Sequence, residues 1–228
     1  MGPLNEAGSA RIVRNWRFTK PINKIKGIPN MGAIFTSPGR TVTAGIVLII
    51  AIVIIVGLAT GQMVKVDHSY ANFIMRWLHV ISGVLWIGLL WYLNFVQVPT
   101  MPTIQPVESR TAITKFIAPN VLFYFRYAAL ATVITGLLLA WMQGYILQAL
   151  TIRPGFVMIG IGMWMALVMA FNVWFIIWPA QQKILGLVEA TAEQKAAAAK
   201  PALYASRFNT MFSIGMLYCM VAQQNAPV

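Results

Sequence analysis

The chain has 228 residues, 59% hydrophobic and 10% charged, with a mean hydropathy of +0.72. That composition excludes an ordinary soluble globule, in which about a quarter of residues are charged, and predicts a polytopic membrane protein. The net charge of +12, from 17 Lys and Arg against 5 Asp and Glu, sits largely beside apolar stretches. There it reads as a topology signal and an attraction to the anionic inner leaflet, not as nucleic-acid binding.

Residues 1–40 form a basic arm, with Arg11, Arg14, Arg17, Lys20, Lys24, Lys26 and Arg40 against the single acid Glu6. Trp16 and Phe18, interleaved with those charges, suit a segment lying on anionic headgroups. Pro21, Pro29 and Pro38 argue against a long helix there. No short apolar core with a small-residue cleavage site occurs in this arm, so insertion is expected to use the first span itself. That span, residues 41–60, is nearly all Ile, Val, Leu, Ala and Gly and reads as a lipid-facing anchor, with Gly45 or Gly57 available for contact with a neighbour.

Span 2 is predicted over residues 72–98, span 3 over 119–142, span 4 over 154–178 and span 5 over 208–223. Pro119 and Pro154 mark two starts and Pro179 one end. Residues 180–200, Ala-rich with scattered charge, read as a solvent-exposed helical loop broken at Pro201. The expected fold is an all-α integral membrane bundle of five spans, of which 72–223 contribute a four-helix membrane domain. Arg110, Lys115, Lys183, Lys195, Lys200 and Arg207 fall on the same side as the basic arm, against Lys65, Arg153 and Arg76 opposite. The positive-inside rule then places the N-terminus in the cytoplasm and the C-terminus outside.

At about 100° per residue, His79, Gly83, Trp86, Leu90, Asn94 and Gln97 share one narrow sector of span 2, which should face other helices. The topology sorts the polar groups by depth. The outer third holds His79 and Arg76, with Met75, Cys219 and Met220 at a similar level. A neutral imidazole ligates haem iron or copper, Met and Cys are soft ligands, and Arg76 suits a haem propionate. A hydrogen-bonded structural histidine among packing methionines, with Cys219 an inert small hydrophobe, is the other reading. The inner third collects Asn94, Gln97, Arg126, Asn172, Asn209 and Ser213. These serve either as interhelical hydrogen-bonding groups or as an anion site in which Arg126 meets a carboxylate, phosphate or urate-like anion; Arg126 snorkelling to the headgroups is a third reading. His68, in the link before span 2, reads as a surface residue. No acid lies inside a span, which argues against paired-carboxylate catalysis. Gly155, Gly160 and Gly162 suit close helix packing, not a phosphate loop. The single cysteine excludes an internal disulfide and a Cys-x-x-Cys-His haem attachment.

The run His79-Val-Ile-Ser-Gly83-Val-Leu-Trp86-Ile-Gly88, continued to Asn94-Phe-Val-Gln97, resembles the membrane domain of the PuuD-type urate hydroxylases, the urate oxidase N-terminal membrane family. Asn172-Val-Trp174-Phe-Ile-Ile-Trp178-Pro179 and Arg207-Phe-Asn209-Thr210-Met-Phe-Ser213 are similar to two further motifs of that family, although Gly215 stands where the family motif has proline. The His-bearing helix is more distantly similar to the HemJ and CopD membrane families, associated with haem and copper. The resemblance implies a helical membrane bundle in a bacterial cytoplasmic membrane, with a b-type haem near His79 held by His79, Arg76, Gly83 and Trp86. It also implies a link to urate oxidation or electron transfer.

Three readings follow. The first is a redox-associated subunit binding haem b, or else copper, through His79 beside a cytochrome or larger membrane oxidoreductase. The second is a urate- or purine-oxidising membrane enzyme with Arg126, Asn94, Gln97, Asn172 and Asn209 at the substrate; lacking a cytochrome c motif, it needs a separate electron acceptor. The third is a cofactor-free structural subunit of a membrane complex.

Overall fold

The computed structural model describes residues 31–226, so most of the predicted basic arm lies outside the described residues. The chain divides into two compact units, Met1–Val64 and Lys65–Val228. In the first, a 3-10 turn Met31–Thr36 leads into α1, Pro38–Thr60, which starts on a proline and ends at Gly61 with φ +67°. At about 1.5 Å per residue its 23 residues reach about 35 Å, enough for a hydrocarbon core of about 30 Å. Its Ile, Val and Leu side chains are exposed nearly all round, as an anchor helix requires. Gly57 is covered by Met63 of the same unit, whereas nothing lies near Gly45.

The second unit holds α2, His68–Thr103; α3, Glu108–Met142; a short α4, Ile146–Leu150; α5, Val157–Ile184; and α6, Ala192–Asn225. With α1, helices α2, α3 and α5 are long and apolar enough to cross a membrane. α6 has similar length, but its first turns are Ala-rich and charged. The four long helices of this unit form an antiparallel bundle: α2 lies along α3, α5 along α6, and the pairs meet through α3 with α5 and α6 with α2. Cross-links at successive levels fix the register. Arg76 donates to Gln224 Oε1 at 3.0 Å, His68 Nε2 to the Met142 carbonyl at 3.2 Å, and Trp91 Nε1 to Ser213 Oγ at 2.9 Å. Trp86, Leu90, Phe125, Ala129, Met169 and Val173 fill the centre. The polar stripe expected on α2 does face the bundle: Trp86 and Leu90 are fully buried and Asn94 nearly so.

The helix ends depart from those predicted. Span 3 begins at Glu108 and not after Pro119; span 4 runs through Pro179 to Ile184; the separate helix ending at Pro201 and span 5 are one helix. Three of the four prolines involved share one structural device. Tyr92–Gln97, Ile113–Ile117 and Asn172–Ile177 are π-helical, and each ends two residues before a proline: Pro99, Pro119 and Pro179. A proline ring clashes with the carbonyl four residues back. Those carbonyls belong to Phe95, Lys115 and Phe175, all inside the widened turns, where the extra residue carries them clear and lets the helix continue. Pro201 interrupts α6 without such a widening.

Asp67 caps α2, its carboxylate accepting from the Tyr70 N–H at 2.9 Å, and Thr191 with Gln194 forms a reciprocal capping box on α6. Gly160 packs against the Ala149 carbonyl and Gly162 against Cys219, so these glycines do serve close packing. Gly155, with φ +82°, makes the turn into α5 instead.

Candidate functional site

His79 lies about 16 Å along α2 from His68, on the face turned to α3. Its Nδ1 sits 3.0 Å from the Thr132 carbonyl and 3.2 Å from Thr135 Oγ1. A carbonyl only accepts, so Nδ1 carries the proton and the lone pair of the neutral ring is on Nε2. The ring occupies the space a side chain would take at Gly136, where an added Cβ would come within 2.8 Å of Cε1. This is how ligating histidines are commonly held, with one nitrogen tied to a backbone carbonyl and the other free for a metal.

His79 opens on a partly open cavity of about 40 Å³ lined by all four bundle helices, with Thr132, Met163, Met216 and Met220 among its walls. Of the other residues expected beside His79, Gly83 packs near the Thr132 methyl, Trp86 is buried in the core below, and Arg76 is bonded to Gln224. None of the three lines the cavity. Cys219 is free and buried. His68 is exposed, as expected of a surface residue, and its Nε2 reaches the Met142 carbonyl at the end of α3. The halves of the site lie on different helices, so Met163, Met216, Gly136 and Thr132 carried no signal in the sequence beyond methionine and glycine in apolar runs.

The second polar level lies about 9 Å further along α3, from Thr132 to Arg126. It holds two separate arrangements. In one, Asn94 Nδ2 donates to Leu90 O at 2.9 Å and Ser206 Oγ at 2.7 Å, and Arg207 donates to Asn94 O at 3.1 Å. Asn172 Nδ2 donates to Asn209 Oδ1 and Asn209 Nδ2 to Met169 O, both at 2.9 Å. Leu90 and Met169 stand just before π segments, and the Met169 carbonyl also accepts from the Asn172 backbone N–H. The asparagine side chains add a donor to each carbonyl. In the other arrangement, the Arg126 guanidinium lies 3.5 Å from the Trp178 ring centre and within 5.3–5.9 Å of Tyr127, Trp174 and Phe123. Its Nε and Nη1 are buried without a hydrogen-bond partner. No hydrogen bond joins Arg126 to Asn94, Gln97, Asn172 or Asn209, so the inner residues predicted as one cluster divide into a bonded asparagine layer and an aromatic cage. Gln97 Oε1 is buried without a partner.

Pockets enclosing cofactor-sized molecules measure roughly 300–1,000 Å³, and a cavity of about 40 Å³ does not hold a haem. It matches a guest of water or single-ion size. Among the described residues, no three His, Cys, Asp or Glu side chains gather into a metal-binding group; the sulfur-bearing side chains at the His79 cavity are Met163, Met216 and Met220.

Residues 126–227 match the model of the family described as urate oxidase N-terminal. The match begins at Arg126, so it covers the motifs from Asn172 and Arg207 but not the His79 helix. No curated protein and no solved structure matches the chain.

Proposed function

From the match of residues 126–227 to the urate oxidase N-terminal family and the geometry around His79, we propose that the chain is a membrane redox-associated subunit holding a metal through His79. It works beside a cytochrome or a larger oxidoreductase of a bacterial cytoplasmic membrane. The observation that carries this reading is the Thr132 carbonyl on Nδ1, which leaves Nε2 as the ligating atom of a residue opening on a partly open cavity between the helices. A metal bound there would supply one-electron chemistry; His79 and its Thr132 and Thr135 partners would hold it in place and the surrounding helices would exclude water. Metal analysis and an absorption spectrum of protein purified from its native membrane test the reading. About one metal per chain, lost in His79→Ala, is the expected result; no metal above background would overturn it in favour of a structural subunit.

A second reading, oxidation of urate or a related purine anion, is supported by the family match and by the unpartnered Nε and Nη1 of Arg126. Membranes rich in the chain would then consume urate when given an electron acceptor, and Arg126→Gln would abolish the consumption. Unchanged consumption in that variant would remove Arg126 from the site.

A further inference from the structure

The cavity beside His79 brings together one imidazole and three thioethers from three helices: His79 on α2, Met163 on α5, and Met216 and Met220 on α6. We infer that Met163, Met216 and Met220 complete, with His79, a binding site for a soft monovalent ion of the copper(I) type. The inference rests on the proposal that His79 ligates a metal and names the rest of the ligand set.

Four observations support it. The remaining walls offer one further side-chain donor, the neutral Thr132 hydroxyl, whose proton goes to the Ala128 carbonyl at 2.7 Å, and the other residues are aliphatic or glycine. Neither Asp nor Glu lines the cavity. Hard divalent ions, which take oxygen ligands, are therefore disfavoured. A neutral set of one nitrogen and three sulfurs is soft, and it buries less charge in an apolar interior when the ion is monovalent. The volume, about 40 Å³, is that of a single small guest. Finally, the helix packing holds the donors at the cavity. Met216 and Met220 are four residues apart and share one face of α6, and Met220 Cε lies 3.4 Å from where a Cβ on Gly162 would stand. Methionine used only as filler closes gaps, whereas these three surround one.

The test is a titration of the detergent-solubilised full chain with Cu(I) under reducing conditions, in competition with a colorimetric Cu(I) chelator. Ag(I) serves as a redox-inert second probe, and X-ray absorption at the copper edge reads the ligands. Expected are about one ion per chain and sulfur as well as nitrogen scattering. Met216→Leu with Met220→Leu should weaken binding by at least tenfold, since even partners one shell outside a metal are worth about 10–100-fold. Leucine conserves volume, so these variants keep the core filled, and Met165→Leu, which lies off the cavity, should bind like wild type. Affinity lost in His79→Ala but kept in the methionine variants, or nitrogen-only scattering, would overturn this ligand set while leaving His79 as a ligand. If wild type binds neither ion, the ligand set falls, and the metal content of the native protein then decides the His79 reading by itself.

Discussion

Gly136 shows how much of the candidate site depends on one absent methyl. A Cβ there would sit 2.8 Å from His79 Cε1 and 3.1 Å from Nδ1, on a helix backbone that cannot retreat. Gly136→Ala is expected to push the imidazole off the Thr132 carbonyl, destabilise the bundle by about 1–3 kcal/mol and lower metal content as His79→Ala does. Gly83→Ala, whose added methyl would find only the Thr132 methyl at 3.9 Å, should leave thermal unfolding and metal content near wild type; equal damage from both would mean that neither acts through the histidine. Asn209 is fully buried and bonded at both ends of its amide. Asn209→Ala strands the Asn172 amide and removes the side-chain donor to the Met169 carbonyl, and should cost about 1–3 kcal/mol in unfolding experiments in detergent. Exposed Asn120→Ala should stay within about 0.5 kcal/mol. Outside the spans, burial holds the Tyr145 phenol above its ordinary range, opposed in part by Arg76. A raised pKa in the fold means that the folded protein holds the phenolic proton more tightly. The associated stability is intact below the unfolded value of about 10 and is lost as pH rises through the folded one. Stability measured in alkaline buffers should fall in that window, and Tyr145→Phe should flatten the fall.

The elements explain why parts of the fold were legible and parts were not. Apolar length located α1 and the bodies of α2, α3 and α5, because hydropathy is a property of each stretch alone. The helix ends were misplaced at Pro119, Pro179 and Pro201, since a proline is read as a boundary when only the local chain is considered. Here π turns before Pro119 and Pro179 absorb the clash, and Asn209 on α6 adds a donor to the Met169 carbonyl beside the second of them. The same limit hid the methionines: periodicity shows which face of α5 or α6 is apolar, but only the bundle shows that Met163 and Met216 meet His79. The π turn of α5 also sets which way Trp178 points. Pro179→Ala restores an N–H to that position and removes the clash that widened the turn. As the segment relaxes towards α, Trp178 rotates off the Arg126 guanidinium. The expected loss is about 2 kcal/mol, the scale of a desolvated cation–π contact, read as a lower unfolding midpoint. Pro201→Ala, in a helix with no widening, should raise the midpoint instead, and an increase for both would show that proline does not hold the π register.

At the scale of the whole molecule, the two polar levels of α2 acquire a direction only when the bundle is oriented in the membrane. From the Lys and Arg count we propose that the α2–α3 and α5–α6 ends of the bundle, with Arg110, Lys115 and Lys183 through Arg207, face the cytoplasm and the α3–α5 connection the outside. In that orientation the His79 cavity opens nearer the outer face and the asparagine layer and Arg126 cage lie nearer the inner one, so a redox partner of His79 would approach from outside. Charge counting argues for this orientation because it needs no side-chain contacts, only the sides on which the loops fall. The orientation is checked by single cysteines and a membrane-impermeant thiol reagent. The native Cys219 is buried and gives little background. Thr151→Cys, exposed in the connection after α4, should label in intact cells, and Ala197→Cys, exposed near the start of α6, only after the cytoplasmic side is opened. The reverse pattern would invert the molecule, place the His79 cavity on the cytoplasmic half and bring the Arg126 cage towards an outside anion.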